Sequence, residues 1–327
     1  MKYRKFGKTQ DKSVSEIGLG CWQFSDDWGK MNDTDAFSIM QSAVDNGITF
    51  FDTADVYGMG RSEKLVGEFL KKNQDSLFVA TKIGRRPDIY PDKYTLDNIE
   101  KQIDGCLFRL GLESLDLVQL HCIPTKIMEE GTVFDMLDKM VTKGKIQRYG
   151  ASVESIDEAL SCLSVPNLSS LQIIFNIFRQ KPIQKILDVA AKKSVAIIVR
   201  VPLASGLLSG KFSKSTVFSD HDHRNYNRDG AMFNVGETFS GIEFEQGVEL
   251  AGEIAELCPP DMTMAQFALR WILDFDQVTT VIPGASSPKQ AAENATASSF
   301  PNISDDLHNK LSELYKQKIH QKIRGIY

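Results

Sequence analysis

The chain has 327 residues, of which 42% are hydrophobic and 25% charged, and a formal net charge of −5. That balance belongs to a globular protein long enough to bury a large core, and its acidic sign disfavours nucleic acid and anionic membranes as partners. Apolar runs stay well short of the roughly 20 residues needed to span a bilayer, and the start, Met1-Lys2-Tyr3-Arg4-Lys5-Phe6, lacks the apolar stretch of a secretory signal.

Residues 3–6 and 13–14 can form a short hairpin, and Ile17-Gly18-Leu19-Gly20 reads as a first core strand. Residues 33–46 put Ala36, Ile39, Met40 and Ala43 on one helical face. A second strand at 49–52 is followed by a loop and a helix at 62–70, with Ser62 as its N-cap. Strands at 77–82, 115–120, 148–151, 170–174, 195–200 and 278–282 come next. They alternate with helices at 96–110, 133–142, 155–163, 183–192, 263–273 and 288–297, and a last helix covers 305–318. Gly111 and Gly144 stop two of these helices, and Pro288 opens another. About eight strand–helix units without a Pro/Gly/Ser-rich linker predict an α/β fold: a (β/α)8 TIM barrel, residues 1–327 forming one domain, with extra loops and helices on the C-terminal face. One stretch breaks the rhythm. From 205 to about 247 the chain is rich in Gly, Ser, Asn, Asp and His with little period. It follows the seventh strand, where so long a loop is expected to serve as a lid.

Four side chains stand at strand exits. Asp52 ends the run through Ile48, Phe50 and Phe51, and Tyr57 follows in the loop before the next helix. Lys82 ends the third strand and His121 the fourth. In a parallel barrel these exits open onto one face. A phenol ordinarily titrates near 10, and a neighbouring ammonium favours the phenolate. Lys82, held by Asp52, is therefore expected to lower the pKa of Tyr57 and ready it for proton transfer to a carbonyl oxygen. A neutral His121 would donate to the same oxygen. Each residue alone has a blander reading: a strand-end cap, a rim aromatic, a solvated lysine, a structural histidine. Their meeting at matched strand exits favours catalysis.

Cys21, Cys106, Cys122, Cys162 and Cys258 are scattered without a CxxC pair. That fits reduced thiols and a cytoplasmic location rather than disulfides or a zinc site. His221-Asp222-His223-Arg224 in the long loop has no accompanying ligand cluster, so no metal is assigned. Arg224 is read as an anion contact when the loop closes. Trp22, at the end of the first strand, is expected to wall the substrate pocket. Asp26, Asp27 and Trp28 extend that wall, and Tyr90 and Ile123 face it from the loops after the third and fourth strands.

The segment Phe51-Asp52-Thr53-Ala54-Asp55-Val56-Tyr57-Gly58-Met59-Gly60-Arg61-Ser62-Glu63, together with Lys82 and Leu117-Val118-Gln119-Leu120-His121, resembles the aldo-keto reductase superfamily. The stretches Tyr149-Gly150-Ala151-Ser152, 201–211 and 282–294 extend the resemblance in order over almost the whole chain. No GxGxxG follows the first strand. The resemblance implies a barrel closed at its bottom by the hairpin and the catalytic tetrad Asp52, Tyr57, Lys82 and His121. It implies NADP(H) as cofactor, with NAD(H) open, bound without a Rossmann domain. Ser152 and Gln172 would hold the nicotinamide carboxamide, beside Trp22, Arg200, Val201 and Pro202. Leu203, Ser205, Gly206, Leu207, Ser209 and Lys211 would wrap the pyrophosphate. Gly284, Ser286, Ser287, Lys289, Gln290, Glu293 and Asn294 would hold the adenosine end at a helix N-terminus.

Three positions depart from the family pattern. Val153 replaces a frequent Asn. Arg200 replaces the aromatic ring that usually stacks on nicotinamide; a planar guanidinium can stack there too, but a cation beside the oxidised ring is unfavourable and would favour the reduced cofactor. Near 286–290 the strong Arg for a 2′-phosphate is absent, leaving Lys289. The implied activity is reduction of an aldehyde, ketone or sugar carbonyl to an alcohol, or the reverse, with hydride from nicotinamide and a proton from Tyr57. The alternatives are an epimerase or lyase that returns the hydride, a cofactor-sensing regulatory subunit, and a Schiff-base aldolase using Lys82.

Overall fold

The computed structural model describes residues 1–8, 12–25, 27–73 and 76–327. The chain opens with β1 (Tyr3–Lys5) and β2 (Ser13–Ser15), an antiparallel pair with Tyr3 opposite Ser15. Then come β3 (Leu19–Gly20), α1 (Asp33–Asp45), β4 (Phe50–Asp52), α2 (Arg61–Lys72), β5 (Phe78–Ile83) and α3 (Leu96–Leu110). Next are β6 (Leu117–His121), α4 (Thr125–Glu130), α5 (Thr132–Thr142), β7 (Tyr149–Ser152), α6 (Ile156–Cys162) and β8 (Ser170–Ile174). They are followed by α7 (Pro182–Lys185), α8 (Leu187–Lys192), β9 (Ala196–Arg200), α9 (His223–Tyr226) and α10 (Phe244–Ala255). The last are α11 (Met264–Leu273), β10 (Val278–Val281), α12 (Pro288–Thr296) and α13 (Asp305–Leu314).

From β3 to β10 each strand pairs in parallel with the next in the chain. The last meets the first through bridges Ile17–Val281 and Gly20–Gly284, with Gly18 N donating to Val281 O at 2.7 Å. A side chain at Gly20 would put its Cβ 2.8 Å from the Ile282 carbonyl and force this seam apart. The barrel interior is filled by Phe6, Val14, Phe50, Phe78, Ala80, Leu117, Ala196, Ile198 and Ile282. Phe6 comes from the hairpin, and its ring centroid lies 4.7 Å from that of Phe78. Apolar burial therefore plugs the bottom. The intervening residues Phe51, Val79, Val118, Leu171 and Ile197 belong to the larger core under the helices.

This alternation positions the site. Inward residues recur every second position. Continuing the parity of Phe50, Phe78 and Ala80, Leu117, and Ala196 and Ile198 towards the strand exits gives Asp52, Lys82, Gln119 and His121, and Arg200. The inner row is apolar at the bottom and polar or charged at the top.

Three helices escape the periodic reading: α4, the single turn α9 and α10. The expected loop to about residue 247 in fact ends where α10 begins at Phe244. Gly247 there marks close packing: a Cβ on it would lie 2.6 Å from Leu207 Cδ1. Single-turn helices also structure the long loop at Ala204–Ser209, Val235–Glu237 and Phe239–Gly241. The last predicted helix is α-helical only to Leu314 and continues as a π turn over Tyr315–Ile319.

Candidate active site

Lys82 Nζ donates to Asp52 Oδ1, to the Thr53 carbonyl at 3.0 Å and to the Tyr57 hydroxyl at 3.3 Å. Those three bonds use its full donor set. Asp52 Oδ2 accepts from Gln119 Nε2 at 3.2 Å and Gln172 Nε2 at 2.8 Å. The carboxylate is thus fixed on both oxygens, and the ammonium it fixes points a third donor at the phenol. Burial works against the charge on Lys82, but Asp52 and Tyr57 outweigh it and raise the ammonium's pKa.

The phenol behaves differently from the expectation. Burial pushes Tyr57 up to about 12, more than the neighbouring Lys82 pulls it down. Tyr57 is therefore firmly protonated at rest, and the ammonium limits the cost of losing the proton. His121 stands with its ring perpendicular to that of Tyr57, centroids 5.8 Å apart. Burial first, then Arg85, Lys82 and Arg200, hold its imidazole well below 6.5, so it is neutral. Its Nδ1 is buried without a hydrogen-bond partner.

Trp22 stacks on Tyr57 at 5.8 Å and 17° and meets Trp28 edge-on at 5.4 Å. Asp27 ties this wall to the long loop. Its carboxylate accepts from Trp22 Nε1 at 3.0 Å and Tyr226 OH at 2.9 Å, and its carbonyl accepts from His223 N at 2.9 Å. Asp26 lies outside the described residues. The His223 ring sits 4.7 Å from Trp22 and 4.2 Å from Trp28. Burial holds it down to about 4, so it is neutral packing. The native value is below the ordinary 6.5. Its stabilising contribution is therefore complete above that pH and is lost as the pH falls towards 4. We expect denaturant unfolding to show about 3 kcal/mol of His223-dependent loss over that interval, absent in His223→Gln.

A cavity of about 380 Å³ begins at Trp22, Trp28, Tyr57, His121 and Arg224. It passes Gln172, Arg200, Val201, Pro202, Leu203, Ser205, Gly206, Ser209 and Lys211, and includes Gly284, Ser286, Gln290, Glu293 and Asn294. Most residues singled out in the sequence thus share one cleft. Others lie elsewhere. Tyr90 is 42% exposed and outside the cavity, and Ile123 is buried in the core, next to Gly84. Leu207 packs behind its loop at Gly247. Lys289 projects into solvent and pairs with Glu293 at 3.6 Å. Ser287 caps α12 by accepting from Gln290 N at 3.3 Å. Ser152 is buried and donates to Gln172 Oε1 at 3.4 Å, so the two expected carboxamide partners bond each other.

The model of the Aldo/keto reductase family matches residues 16–316. The chain belongs to the aldo/keto reductase family. It is 28% identical over 336 residues to "Uncharacterized oxidoreductase YqkF" of Bacillus subtilis, covering 99% of this chain and 100% of that one. It is 26% identical to "Aldo-keto reductase yakc [NADP(+)]" of Schizosaccharomyces pombe, over 89% and 85% of the two chains. Among solved structures it resembles the holo form of aldo-keto reductase AKR11C1 from Bacillus halodurans, with TM-score 0.78, 25% identity and coverage of 100% and 98%. The glycerol dehydrogenase AKR11B4 from Gluconobacter oxydans gives TM-score 0.78, 26% identity and coverage of 99% and 98%.

The family uses nicotinamide cofactors, and the cleft passes a physical test for a dinucleotide. Val201, Ala204 and Ser205 take φ of 53°, 48° and 54°, and Gly206 takes 100°. Such a run of left-handed residues is costly, and strain of this kind clusters at ligand clamps. A Cβ at Gly206 would come within 2.8 Å of the Phe212 ring. Lys211 lines the same cleft, an ammonium of the kind that can pair with phosphate.

Several lining residues were not legible in the sequence: Gln23, Phe212, Glu237, Thr263 and Gln266. Gln266 and Thr263 form a capping box on α11, a visible but generic signal. Glu237 carried no signal at all. It pairs with Arg85 at 3.2 Å and Arg200 at 3.6 Å, while Arg200 Nη2 donates to the Val153 carbonyl at 3.0 Å. Burial opposes the charge on Glu237, but the two guanidiniums win and hold it ionised. Burial and then Glu237 push the neighbouring Glu154 up to about 7. Arg200, the residue expected from sequence to sit beside the nicotinamide, is therefore paired with a carboxylate, which lessens the net positive charge at that position.

Proposed function

We propose that this chain is an NADP(H)-dependent reductase of a small aldehyde, ketone or sugar, working in either direction within a single barrel domain, with Asp52, Tyr57, Lys82 and His121 as its catalytic set. The observation that carries this reading is the Tyr57 hydroxyl 3.3 Å from Lys82 Nζ, at the mouth of the cleft that the strained loop lines.

A bound reduced nicotinamide would supply the hydride. The chain supplies the rest. Tyr57, with its high resting pKa, carries a proton to give to the substrate oxygen. The phenolate left behind faces an ammonium whose own position is fixed by Asp52. Neutral His121 donates a ring N–H to the same oxygen and cannot compete as an acid, because its pKa is held so low. Trp22 and Trp28 cover the apolar part of the substrate, with Arg224 at the rim. Lys82 is a locked ammonium with its donors spent, which gives no support to a Schiff-base aldolase, because that chemistry starts from a free amine. Two relatives' names fit the proposal: one carries NADP(+), and another is a glycerol dehydrogenase. Among the described residues no helix is long and apolar enough to cross a membrane.

The direct test is consumption of NADPH and NADH, followed by absorbance, across a panel of aldehydes, ketones and aldoses. Turnover of at least one carbonyl class is expected. Retained dinucleotide with no net turnover on any of them would favour the epimerase or regulatory readings instead. Lys211→Ala is expected to weaken dinucleotide binding by roughly tenfold or more, the worth of a charge-assisted hydrogen bond to phosphate. Quenching of tryptophan fluorescence would measure it.

A further inference from the structure

Asp55 stands between the catalytic carboxylate of Asp52 and the phenol of Tyr57 in the chain, yet its side chain joins neither. It is fully buried, and neither carboxyl oxygen has a hydrogen-bond partner among the described residues. Its backbone N donates to the Lys82 carbonyl at 3.1 Å, while the side chain meets the helix layer. From α2 it faces Glu63, from α3 Arg109 and the Cys106 thiol, and from the loop after β5 Arg86 and Asp88. Both guanidiniums are already matched. Arg109 Nε donates to Glu63 Oε2 at 2.6 Å, and Arg86 pairs with Asp88 at 3.5 Å. The other oxygen of Glu63 accepts from Thr81 Oγ1 at 2.6 Å. Charge is thus balanced before Asp55 is counted. An ionised Asp55 would be an extra buried anion with no donor of its own, a state that gives way to the neutral acid. Burial first, then Glu63, push Asp55 up to about 8.

The same surroundings connect this acid to the phenol. After Tyr57 the chain turns through three left-handed residues, Gly58, Met59 and Gly60, with φ of 57°, 52° and 91°. Met59 lacks a glycine's freedom, so the turn is strained and must be held by what it packs against. Arg109 is such a support: a Cβ at Gly60 would lie 2.6 Å from Arg109 Cδ. A charged Asp55 would compete with Glu63 for that guanidinium and disturb the seat under Gly60. We propose that Asp55 is a positioning residue that seats the Tyr57 turn only as a neutral acid, and that its ionisation in mild alkali moves the phenol off the Lys82 ammonium and stops turnover. The inference rests on the tetrad reading above. Tyr57 keeps its own proton to a much higher pH, so the two losses are separable. The native acid holds its proton above the ordinary 3.8. Stability is therefore greatest below that pH, falls as the pH rises towards 8, and levels off beyond it.

Carbon-13 NMR of wild type labelled at the aspartate carboxyls is expected to show one aspartate titrating near 8, and needs no variant to fold. The kcat for NADPH-dependent carbonyl reduction should fall roughly tenfold per pH unit above the same midpoint, as for a single ionisation, while affinity for NADPH holds. Asp55→Asn keeps the shape and cannot ionise. Its kcat should stay level through that range, and its denaturant midpoint should lose the decline between the ordinary and the native value. Tryptophan emission, in which Trp22 reports on the stacked Tyr57 ring, should step at the same pH in the wild type and not in Asp55→Asn. Aspartates all ionised at neutral pH would overturn the neutral acid. A wild-type kcat that stays flat past the carboxyl's midpoint, or an alkaline fall unchanged in Asp55→Asn, would overturn its hold on Tyr57. Wild type that reduces no carbonyl would overturn the tetrad reading instead. The tryptophan step then decides alone: the seat stands if the step follows Asp55, and falls if it is absent or survives in Asp55→Asn.

Discussion

Tyr57→Phe should turn over at least about 100-fold more slowly than the wild type, with dinucleotide affinity essentially unchanged. The substitution is unusually clean. The phenyl ring keeps its stack on Trp22 and its perpendicular contact with His121. Lys82 keeps Asp52 and the Thr53 carbonyl. Only the hydroxyl goes, and with it the one group in the set that holds a transferable proton at neutral pH: Lys82 is locked to Asp52, and His121 is neutral. Stability should stay within about 1 kcal/mol, as for a small change that opens no cavity. Burial pushes the resting phenol up to about 12, so carbonyl reduction in the wild type should not lose its acid through the neutral range. Progress curves at saturating NADPH, beside a fluorescence titration, separate the two quantities. Full activity in Tyr57→Phe would remove the proposed acid from the mechanism.

What sequence could show follows from what each signal encodes. Burial periodicity encodes strand and helix, and the eight strands were legible because their inner and outer rows are both apolar through most of the barrel. The polar ends of the inner rows were legible for the same reason: Asp52, Lys82 and His121 interrupt a pattern. Position along a strand does not encode where the following loop turns. Cys122 takes φ of 48° after His121, and Ile123 goes into the core instead of the cleft. The loop after β5 carries Tyr90 outward. Helix α10 was hidden by Gly247, which reads as a loop residue but is there to let Leu207 come close. Glu237 was hidden because its meaning lies in two arginines distant in the chain. The sign of the Tyr57 shift was also out of reach: a spacing shows that an ammonium is near, whereas the penalty of burial depends on how completely Trp22 and the loops cover the phenol.

Lys82→Met should be damaging in two ways that can be told apart. The charged pair with Asp52 is almost wholly buried, with side-chain exposures of 1% and 3%. Truncating one partner leaves an uncompensated charge in the barrel's top layer, at a cost of about 3–5 kcal/mol in unfolding free energy. Gln119 and Gln172 still donate to the carboxylate, but two neutral amides do not replace an ammonium. Asp52→Asn in the same chain removes the stranded charge and should return most of that stability. It should return none of the activity, because the phenolate left on Tyr57 would still have no cation opposite it. Denaturant midpoints and turnover on the best substrate of the panel, measured for both singles and the double, form the cycle. Stability rescued with activity still absent assigns Lys82 two separate duties, one to Asp52 and one to Tyr57. Activity rescued along with stability would mean that the ammonium only holds the barrel together, and that Tyr57 gives up its proton without it.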